Sequence, residues 1–140
     1  MNDLPFRRQY RVRWRDADAS GFVYFANYVR LMEETEYAWL RTRGLCSVTH
    51  DERGVIGFPR IRTEIEIGHP ACVDDDLEIR LLSAQNDGVQ IDYQFEIATG
   101  NEIVATGHFA VACCRFERHS PPRAILIPDF MRERLGPAIE

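Results

Sequence analysis

The architecture depends most on residues 14–40, WRDADASGFVYFANYVRLMEETEYAWL, which join an acid-rich bend to the longest helix-like run of the chain. On a 3.6-residue period the apolar side chains cover about half of the circumference or more, wider than the ~100° stripe of an ordinary surface helix. These side chains are Tyr24, Phe25, Tyr28, Val29, Leu31, Met32, Ala38, Trp39 and Leu40. The pattern predicts a helix that other elements surround. Glu36 falls inside the apolar arc and therefore needs a partner or access to water.

Five further segments alternate apolar and polar residues with the period of two that predicts β-strands. They cover about residues 9–14, 58–67, 77–81, 89–97 and 103–116. Tight turns are expected at Asn86-Asp87-Gly88 and at Thr99-Gly100-Asn101-Glu102. Residues 46–53 lack a clear pattern and predict a loop or a short turn of helix, while Pro128 to Leu135 predict a short last helix. The order predicts an α+β fold in which an antiparallel sheet of about five strands packs around one long central helix.

The last strand carries apolar or small residues on both of its faces. Ile103, Phe109 and Val111 occupy odd positions, and Ala110 and Ala112 occupy even ones. One face can take the helix, but a single domain of this size leaves nothing to cover the other. A second subunit is the economical explanation, so we expect an oligomer.

Composition limits the possible functions. The 140 residues carry a formal net charge of −5, and the 17 positive residues are all arginine, scattered along the chain without forming a block. This predicts one domain over residues 1–140 and argues against a nucleic-acid partner. The absence of lysine excludes Schiff-base, pyridoxal and P-loop lysine chemistry. With no apolar signal core and no uncharged run near the ~20 residues of a membrane span, we expect a cytoplasmic protein.

The cysteines show no spacing typical of a metal site. Cys46, Cys72, Cys113 and Cys114 include neither a C-x-x-C pair nor a Cys/His ligand pattern. Free thiols in a reducing compartment are the expected state. The sequence therefore predicts no metal site and no organic cofactor.

The acid-rich bend, Asp16-Ala17-Asp18-Ala19-Ser20-Gly21, invites a calcium interpretation because it matches the opening of an EF-hand loop. Two observations argue against calcium. The twelfth position is Asn27, where an EF-hand needs a bidentate glutamate, and a predicted strand precedes the bend where an EF-hand has a helix.

Two other interpretations of the bend stay open. In the first, Asp16, Asp18 and Ser20 only cap the helix. In the second, a carboxylate lies next to the backbone amides near Tyr24 and Phe25, at the positive end of a helix beginning at Gly21, where an oxyanion could form on a carbonyl. The chain has no G-x-S-x-G or H-E-x-x-H motif and no cysteine near a credible histidine, so any hydrolysis would have to use a carboxylate.

Residues 12–33, VRWRDADASGFVYFANYVRLME, resemble the signature of the 4-hydroxybenzoyl-CoA thioesterase family of hotdog-fold proteins, which includes YbgC-like acyl-CoA thioesterases. HPACVDDDLEI at 69–79 and PPRAILIP at 121–128 also resemble segments of that family, so the likeness covers nearly the whole chain. The resemblance implies a sheet wrapped around the central helix, and homodimers or homotetramers with active sites at the dimer interface.

The resemblance also implies roles for individual residues. The second acid of the D-x-D-x-x-G motif is the family's catalytic aspartate and falls on Asp18. The amide that polarises the thioester carbonyl falls on Phe25, with Tyr24 as the alternative. Asp16, Gly21 and Asn27 then become supporting residues. Asp18 would act as nucleophile, through a mixed anhydride, or as general base for water.

The chain departs from the family in two places. YbgC-like members often carry a histidine where this chain has Phe25, which favours a drier, larger or aromatic acyl pocket. Val55, Ile56 and Phe58 are candidate walls of that pocket, although apolar residues there are also compatible with plain core. The family's phosphate-binding arginines have no clear counterpart in residues 82–89. The remaining candidates for binding coenzyme A are Arg60, Arg62, Arg115 and Arg118.

We therefore expect an acyl-CoA thioester hydrolase that converts a small aliphatic or aromatic acyl-CoA to the free acid and CoA. Two alternatives remain. A hotdog hydratase or dehydratase would need a histidine or an acid pair on the helix, which offers only Glu33, Glu34 and Glu36. A noncatalytic acyl-binding subunit would not need both Asp18 and Gly21. The four histidines, His50, His69, His108 and His119, are scattered and are expected to be structural or on the surface.

Overall fold

The computed structural model, which describes residues 3–137, contains the predicted long helix as α1, Ala26–Thr42. Its buried side chains are Tyr28, Leu31, Met32, Thr35, Glu36, Trp39 and Leu40. The helix begins later than the predicted start at Gly21. Val23 forms an antiparallel β-bridge with Ala17, and Phe22 forms one with Cys72. The backbone before the helix is therefore extended and cannot belong to the helix. The side chains of Tyr24 and Phe25, predicted to be buried, consequently lie on the surface at the helix entrance.

Strands account for much of the remaining chain. They are β1 Phe6–Arg11, β2 Val48–Asp51, β3 Gly54–Gly57, β4 Arg60–Ile67, β5 Asp76–Asn86, β6 Gln90–Thr99, β7 Glu102–Ala112, β8 Cys114–Phe116 and β9 Arg123–Ala124. The larger sheet has the order β1-β5-β6-β7-β4, with antiparallel pairing throughout. The smaller sheet has the order β2-β3-β8-β9. The predicted antiparallel sheet of about five strands on one long helix is confirmed by the larger sheet.

The smaller sheet corrects the prediction for residues 46–53. These residues contain β2, which forms a hairpin with β3. All four β2 side chains are exposed or half-buried, so the strand lacks a buried apolar face and the alternation that would reveal it. The first strand also ends earlier than predicted. Trp14 lies in a 3₁₀ turn, Trp14–Asp16, and is 79% exposed.

One face of β7 points away from α1. Where residues on this far face are buried, other parts of the same chain bury them. Ala110 is 3% exposed in the single chain and pairs with Arg62 of β4 and with Asp92 of β6. Beyond the end of the strand, the segment leading to the last helix pairs with the residues that follow β7, since the Ile125 amide donates a hydrogen bond to the Cys113 carbonyl over 2.9 Å. Thr106 on the same face stays exposed. The burial of β7 therefore does not require a second subunit.

The chain continues into the second helix, α2, Asp129–Leu135. Pro128 precedes it as the N-cap residue, which confirms the predicted short last helix, and Met131 packs into the core. Residues 1–2 and 138–140, which the predicted domain 1–140 includes, lie outside the described range. Neither helix in residues 3–137 combines the length and apolar character needed to cross a membrane.

Candidate active site

Asp16 holds together the loop that leads into α1. Its carboxylate is 3% exposed and accepts hydrogen bonds from the Tyr10 hydroxyl (2.7 Å), the Arg13 amide (2.8 Å) and Nη2 of Arg30 (2.8 Å). Its carbonyl oxygen accepts two more, from Nδ2 of Asn27 at 2.7 Å and from the backbone amide of residue 24 at 2.9 Å. A buried charge is tolerated when it is paired and hydrogen-bonded, so these contacts fix the loop in one conformation. The bond between Asn27 and the Asp16 carbonyl ties this loop to the first turn of α1.

Asp18 lies at the exposed tip of that loop. The loop closes on itself, because the Asp18 amide donates to the Phe22 carbonyl at 2.9 Å and the Gly21 amide donates to the Asp18 carbonyl at 3.0 Å. Gly21 has a φ of 87°, in the left-handed region that favours glycine. The Asp18 carboxylate accepts hydrogen bonds from the Ser20 hydroxyl and, at 2.8 Å, from the Ser20 amide. These two bonds lower the pKa of Asp18, so its carboxylate is ionised at neutral pH.

The two candidate oxyanion donors differ in availability. The Tyr24 amide already donates to the Asp16 carbonyl, so Tyr24 is a poor candidate for this role. Phe25 is the N-cap residue of α1, and its N–H has no acceptor among residues 3–137. A free amide at the positive end of a helix can donate to an oxygen that gains negative charge. The geometry favours Phe25 over Tyr24.

Aromatic side chains surround this entrance. The rings of Tyr24 and Phe25 lie 4.9 Å apart between centroids, and both are about half exposed. Phe22 and Trp14 add further exposed apolar surface to the same loop. An exposed aromatic surface next to an ionised carboxylate is typical of a ligand site or an interface.

The predicted pocket walls lie at the other end of α1. Phe58 lines a small apolar space with Leu40 in the last turns of the helix and with Leu45, which follows the helix. Val55 and Ile56 lie in β3, and Ile56 is buried in the core. Since the helix of 17 residues is about 25 Å long, these walls and the entrance loop do not meet within one chain.

Arg60 is already occupied by contacts within the chain, which argues against its predicted role in binding substrate. Its Nη2 lies 2.6 Å from Oε1 of Glu36 and 3.0 Å from Oε2 of Glu33. Its guanidinium carbon lies 4.6 Å from the centroid of the Phe109 ring. Burial raises the pKa of Glu36, and the hydrogen bond from Arg60 opposes that effect. Arg60 is thus the partner that the buried Glu36 needed.

The other candidate arginines differ from one another. Arg62 is exposed on β4, with Nε 3.5 Å from Oε1 of Glu64. Arg115 is buried against Asp51, whereas Arg118 is exposed. The exposure of Arg62 and Arg118 leaves both able to meet a ligand, whereas the burial of Arg115 argues against that role.

The histidines lie on the surface or in structural contacts, as predicted. His50, His69 and His119 are exposed. The half-buried His108 places Nε2 at 3.2 Å from Oδ1 of Asp92 on the outer face of the larger sheet.

Sequence reasoning missed Arg30 and Tyr10. Arg30 binds Asp16 and also Glu34, over 2.9 Å, and its guanidinium carbon lies 5.6 Å from the centroid of the Tyr10 ring. The i,i+4 spacing of Arg30 and Glu34 was visible in the sequence. The contact with Asp16 is not local, because it depends on how the loop folds back on the helix.

Asp16 and Asp18 do not converge on a common point, since Asp16 faces Arg30 and Asp18 faces Ser20. Within residues 3–137, no group of three or more His, Cys, Asp or Glu side chains is placed to hold a metal ion. The four cysteines are free thiols and form no disulfide bond with one another.

Comparison with known proteins gives consistent matches. The chain is 29% identical over 136 residues to 1,4-dihydroxy-2-naphthoyl-CoA hydrolase from Synechococcus elongatus, covering 94% of this chain and 97% of that protein. It is 28% identical over 126 residues to the acyl-CoA thioester hydrolase YbgC from Escherichia coli O6:H1, covering 89% and 92%. The crystal structure of a 4-hydroxybenzoyl-CoA thioesterase mutant with bound 4-hydroxybenzoyl-CoA matches with a TM-score of 0.78 at 15% identity, covering 94% and 98%. At that identity the likeness concerns the fold.

These matches and the five-stranded sheet on its central helix define a hotdog-fold thioester hydrolase. The chain belongs to the thioesterase-like superfamily, whose model matches residues 12–135. The resemblance noted in the signature segment is therefore confirmed, together with the fold and the enzyme class that it implied.

Proposed function

We propose that this protein hydrolyses a small acyl-CoA thioester, with an aromatic acyl group preferred, to the free acid and CoA, and that Asp18 is the catalytic carboxylate. The observation that carries the proposal is that one entrance segment holds both an ionised, solvent-facing Asp18 and the free Phe25 amide at the start of α1. Water is the second substrate, and the proposed reaction uses no metal or organic cofactor.

The Phe25 amide has the role of stabilising the oxyanion. As the nucleophile adds to the thioester carbonyl, negative charge develops on the carbonyl oxygen, and an amide at the positive end of a helix stabilises it. The hydrogen bond from Tyr24 to Asp16 supports this role indirectly, because it fixes the backbone immediately before Phe25.

Two routes fit the position of Asp18. In the nucleophilic route a carboxylate oxygen attacks the carbonyl carbon, the C–S bond breaks, the CoA thiolate leaves and is protonated by solvent, and water then hydrolyses the mixed anhydride. In the general-base route Asp18 removes a proton from water as the water oxygen attacks. A single turnover in ¹⁸O-water, followed by trapping with hydroxylamine, tests them: label in Asp18 or a trapped aspartyl or acyl hydroxamate shows the mixed anhydride, whereas the general-base route labels only the product acid and gives no hydroxamate.

The exposed rings of Tyr24 and Phe25 support an aromatic acyl group, because offset or edge-to-face aromatic contacts favour a flat ring over an alkyl chain. A relative named as a hydrolase of 1,4-dihydroxy-2-naphthoyl-CoA points in the same direction. We expect benzoyl-CoA and hydroxybenzoyl-CoA to be cleaved faster than short or long aliphatic acyl-CoAs.

A homodimer would complete the site. β4 is an edge strand and pairs only with β7 among residues 3–137. Two copies paired antiparallel along β4 would place the Arg60 end of one strand opposite the Ile67 end of the other. The Ile67 end of β4 leads to Ala71, whose carbonyl accepts a hydrogen bond from the Val23 amide, so this end lies near the entrance segment. The Arg60 end follows Phe58 by two residues.

That pairing would bring the partner subunit's Phe58 and β3 toward the entrance loop that carries Asp18. It would also cover Ile61 and Ile67, which are exposed in the single chain. We therefore propose active sites at a dimer interface, with a homotetramer as a pair of such dimers. Light scattering of the native protein tests this, and a monomer at micromolar concentration would contradict it.

The proposed function is tested by replacing Asp18 with asparagine. We expect turnover to fall by about 10²-fold or more, the scale of a positioned acid–base group, while the oligomer stays intact. Release of free thiol from acetyl-, palmitoyl-, benzoyl- and hydroxybenzoyl-CoA measures the effect. Asp92→Asn, at a partly exposed aspartate on the outer sheet face, is the matched control and should keep native turnover.

Two outcomes would contradict the proposal. A fully active Asp18→Asn variant would remove the catalytic role of Asp18. Absence of thiol release from every acyl-CoA by the native protein would favour the noncatalytic acyl-binding alternative. The hydratase alternative is less compatible with the helix acids, because Glu33 and Glu36 are paired with Arg60 and Glu34 is paired with an arginine one turn earlier.

A further inference from the structure

The carboxylate of Asp16 joins the strand side of the entrance loop to the helix side through separate oxygen atoms. Oδ2 accepts the hydrogen bonds from the Tyr10 hydroxyl, near the end of β1, and from the Arg13 amide, just beyond that strand. Oδ1 accepts its hydrogen bond from Arg30 in α1. Within residues 3–137, Arg30 is therefore the one side chain of the helix that binds this carboxylate.

The start of the helix also holds the backbone of Asp16. The Tyr24 amide and Nδ2 of Asn27 both donate to the Asp16 carbonyl, at 2.9 and 2.7 Å. Oδ1 of Asn27 in turn accepts a hydrogen bond from Nε of Arg30 at 3.3 Å. Residues three apart are neighbours on one face of a helix, so Asn27 and Arg30 grip the same loop residue from one side.

These three side chains, Asp16, Asn27 and Arg30, form a clamp between the two groups that the proposed reaction needs. Asp18 follows Asp16 by two residues, and Phe25 directly follows the residue whose amide binds the Asp16 carbonyl. The hydrogen bonds on the Asp18 carboxylate that residues 3–137 provide come from its own loop. Bonds within the loop fix its internal shape, and the clamp fixes that shape against the helix start.

The geometry of Arg30 suits this task better than it suits stabilisation alone. Its side chain is 36% exposed, while that of Asp16 is 4% exposed. An ion pair with one partly exposed partner contributes little to stability once desolvation is counted. A guanidinium group, however, donates in fixed directions, and this one binds Asp16, Asn27 and Glu34 at the same time.

We propose that Arg30 is a positioning residue for the hydrolysis. Through Asp16 it sets the placement of the Asp18 carboxylate relative to the Phe25 amide, although it contacts no reacting atom itself. An error of about 1 Å in the placement of catalytic groups can cost about 10²-fold in rate, so a residue one step away from the chemistry can control turnover. The identity of the reaction rests on the proposed thioesterase function.

Kinetics of the full-length protein with benzoyl-CoA give the first test. For Arg30→Ala we expect kcat to fall at least about tenfold, less than the roughly 10²–10³-fold effect of removing an oxyanion donor outright. KM should not change, because the displaced groups act in the transition state. Glu34→Gln is the matched control, since it removes the exposed partner of Arg30 and leaves the bond to Asp16. This control should keep native kcat.

Arg30→Lys separates charge from geometry. Lysine keeps the positive charge beside Asp16, but a single ammonium group does not reproduce the fixed fork of the guanidinium. Stability, measured by urea denaturation, should therefore return further toward the native value than kcat does. If kcat and stability recover in parallel, charge alone accounts for Arg30 and the positioning role is wrong.

Nuclear magnetic resonance observes the Phe25 amide without catalysis. Tyr24-Phe25 is the one Tyr-Phe pair in the sequence, so protein that contains ¹³C-carbonyl tyrosine and ¹⁵N-phenylalanine gives a single carbonyl-filtered amide signal. We expect Arg30→Ala to shift or split this signal, because the backbone before Phe25 loses its fixed anchor. Glu34→Gln should leave the signal in place.

The amide signal also keeps the two proposals distinguishable. A displaced Phe25 signal in Arg30→Ala supports the positioning role even if no thioester is cleaved. An unchanged signal overturns the proposal, as does native kcat in Arg30→Ala. If Arg30→Ala does not fold, Asn27→Ala removes the other side chain of the helix that holds Asp16 and should displace the same signal.

Discussion

Two carboxylates, Asp18 in the loop before α1 and Glu36 within the helix, lie in opposite environments. At the entrance, Asp18 is exposed, and hydrogen bonds from Ser20 lower its pKa. Toward the other end, Glu36 is 2% exposed, and burial raises its pKa. Arg60 neutralises Glu36 within the chain, whereas the hydrogen bonds that Asp18 accepts within residues 3–137 come from Ser20, which is uncharged.

This difference in exposure and pairing gives the two carboxylates different roles, one in catalysis and one in stability. An ionised carboxylate with open surroundings can meet a substrate, and the free Phe25 amide at the start of the helix can donate to the developing oxyanion. A buried, ion-paired carboxylate holds a position in the core and has no room for a substrate. Changes at the two ends should therefore produce different phenotypes.

The largest effect on stability is expected from Arg60→Ala. Removal of this arginine leaves the buried carboxylate of Glu36 without a cationic partner, which should lower the free energy of unfolding by about 3–5 kcal/mol at pH 7. Urea denaturation followed by circular dichroism measures the loss. Arg62→Ala, which breaks an exposed pair with Glu64 on the same strand, is the matched control and should cost less than about 0.5 kcal/mol.

The pH dependence of that variant follows from the pKa of Glu36. Burial raises the folded-state pKa above its unfolded value, and loss of Arg60 raises it further. The folded state then binds a proton at a higher pH than the unfolded state, so stability increases as pH falls through the folded pKa. Arg60→Ala should therefore recover part of its loss at pH 5, and adding Glu36→Gln should recover it at pH 7. A loss that is independent of pH would show that Glu36 is not the cause.

Much of this fold follows from sequence periodicity. The wide apolar arc predicted a surrounded helix, and alternation predicted the five strands of the larger sheet, because burial of one face imposes both patterns. β2 escaped prediction because it has no buried face. The apolar far face of β7 suggested a second subunit, because a sequence does not show that small residues such as Ala110 are already buried within one chain.

The site was predictable only where contacts are local. Asp18, Ser20 and Gly21 form a turn within four residues, so their positions could be inferred from the motif. The partner of Asp16 lies on the helix at Arg30, and the partner of Glu36 lies on a strand at Arg60. Such pairs depend on which elements meet, and a single sequence with scattered arginines does not specify them.

An intermediate effect is expected from Gly21→Ala in the entrance loop. Gly21 has a φ of 87°, and an added Cβ would contact nothing within 4 Å, so the cost is conformational. We expect a loss of about 1–2 kcal/mol in the free energy of unfolding, together with lower kcat as the Asp18 loop changes shape. Gly100→Ala is a matched control, since Gly100 also has a positive φ, 58°, and open space around it.

The comparison of the two glycines separates catalysis from folding. Both variants should lose similar stability, but only Gly21→Ala should lose turnover, measured as thiol release from benzoyl-CoA. Equal turnover in the two variants would mean that the shape of the entrance loop does not matter for catalysis.

The smallest effect is expected from Ser20→Ala, which tests the entrance carboxylate directly. The Ser20 hydroxyl is the largest cause of the lowered pKa of Asp18, so its removal should raise that pKa toward the ordinary aspartate range. The ionised form is the active one in both proposed routes, and kcat/KM therefore falls as pH decreases through this pKa. The acid limb of the pH profile should move to higher pH in Ser20→Ala and return in Ser20→Thr, with little change at pH 7, where Asp18 is ionised in all three proteins. An acid limb that stays in place would show that the titrating group is not Asp18. The catalytic role proposed for the Asp18 carboxylate would then be wrong.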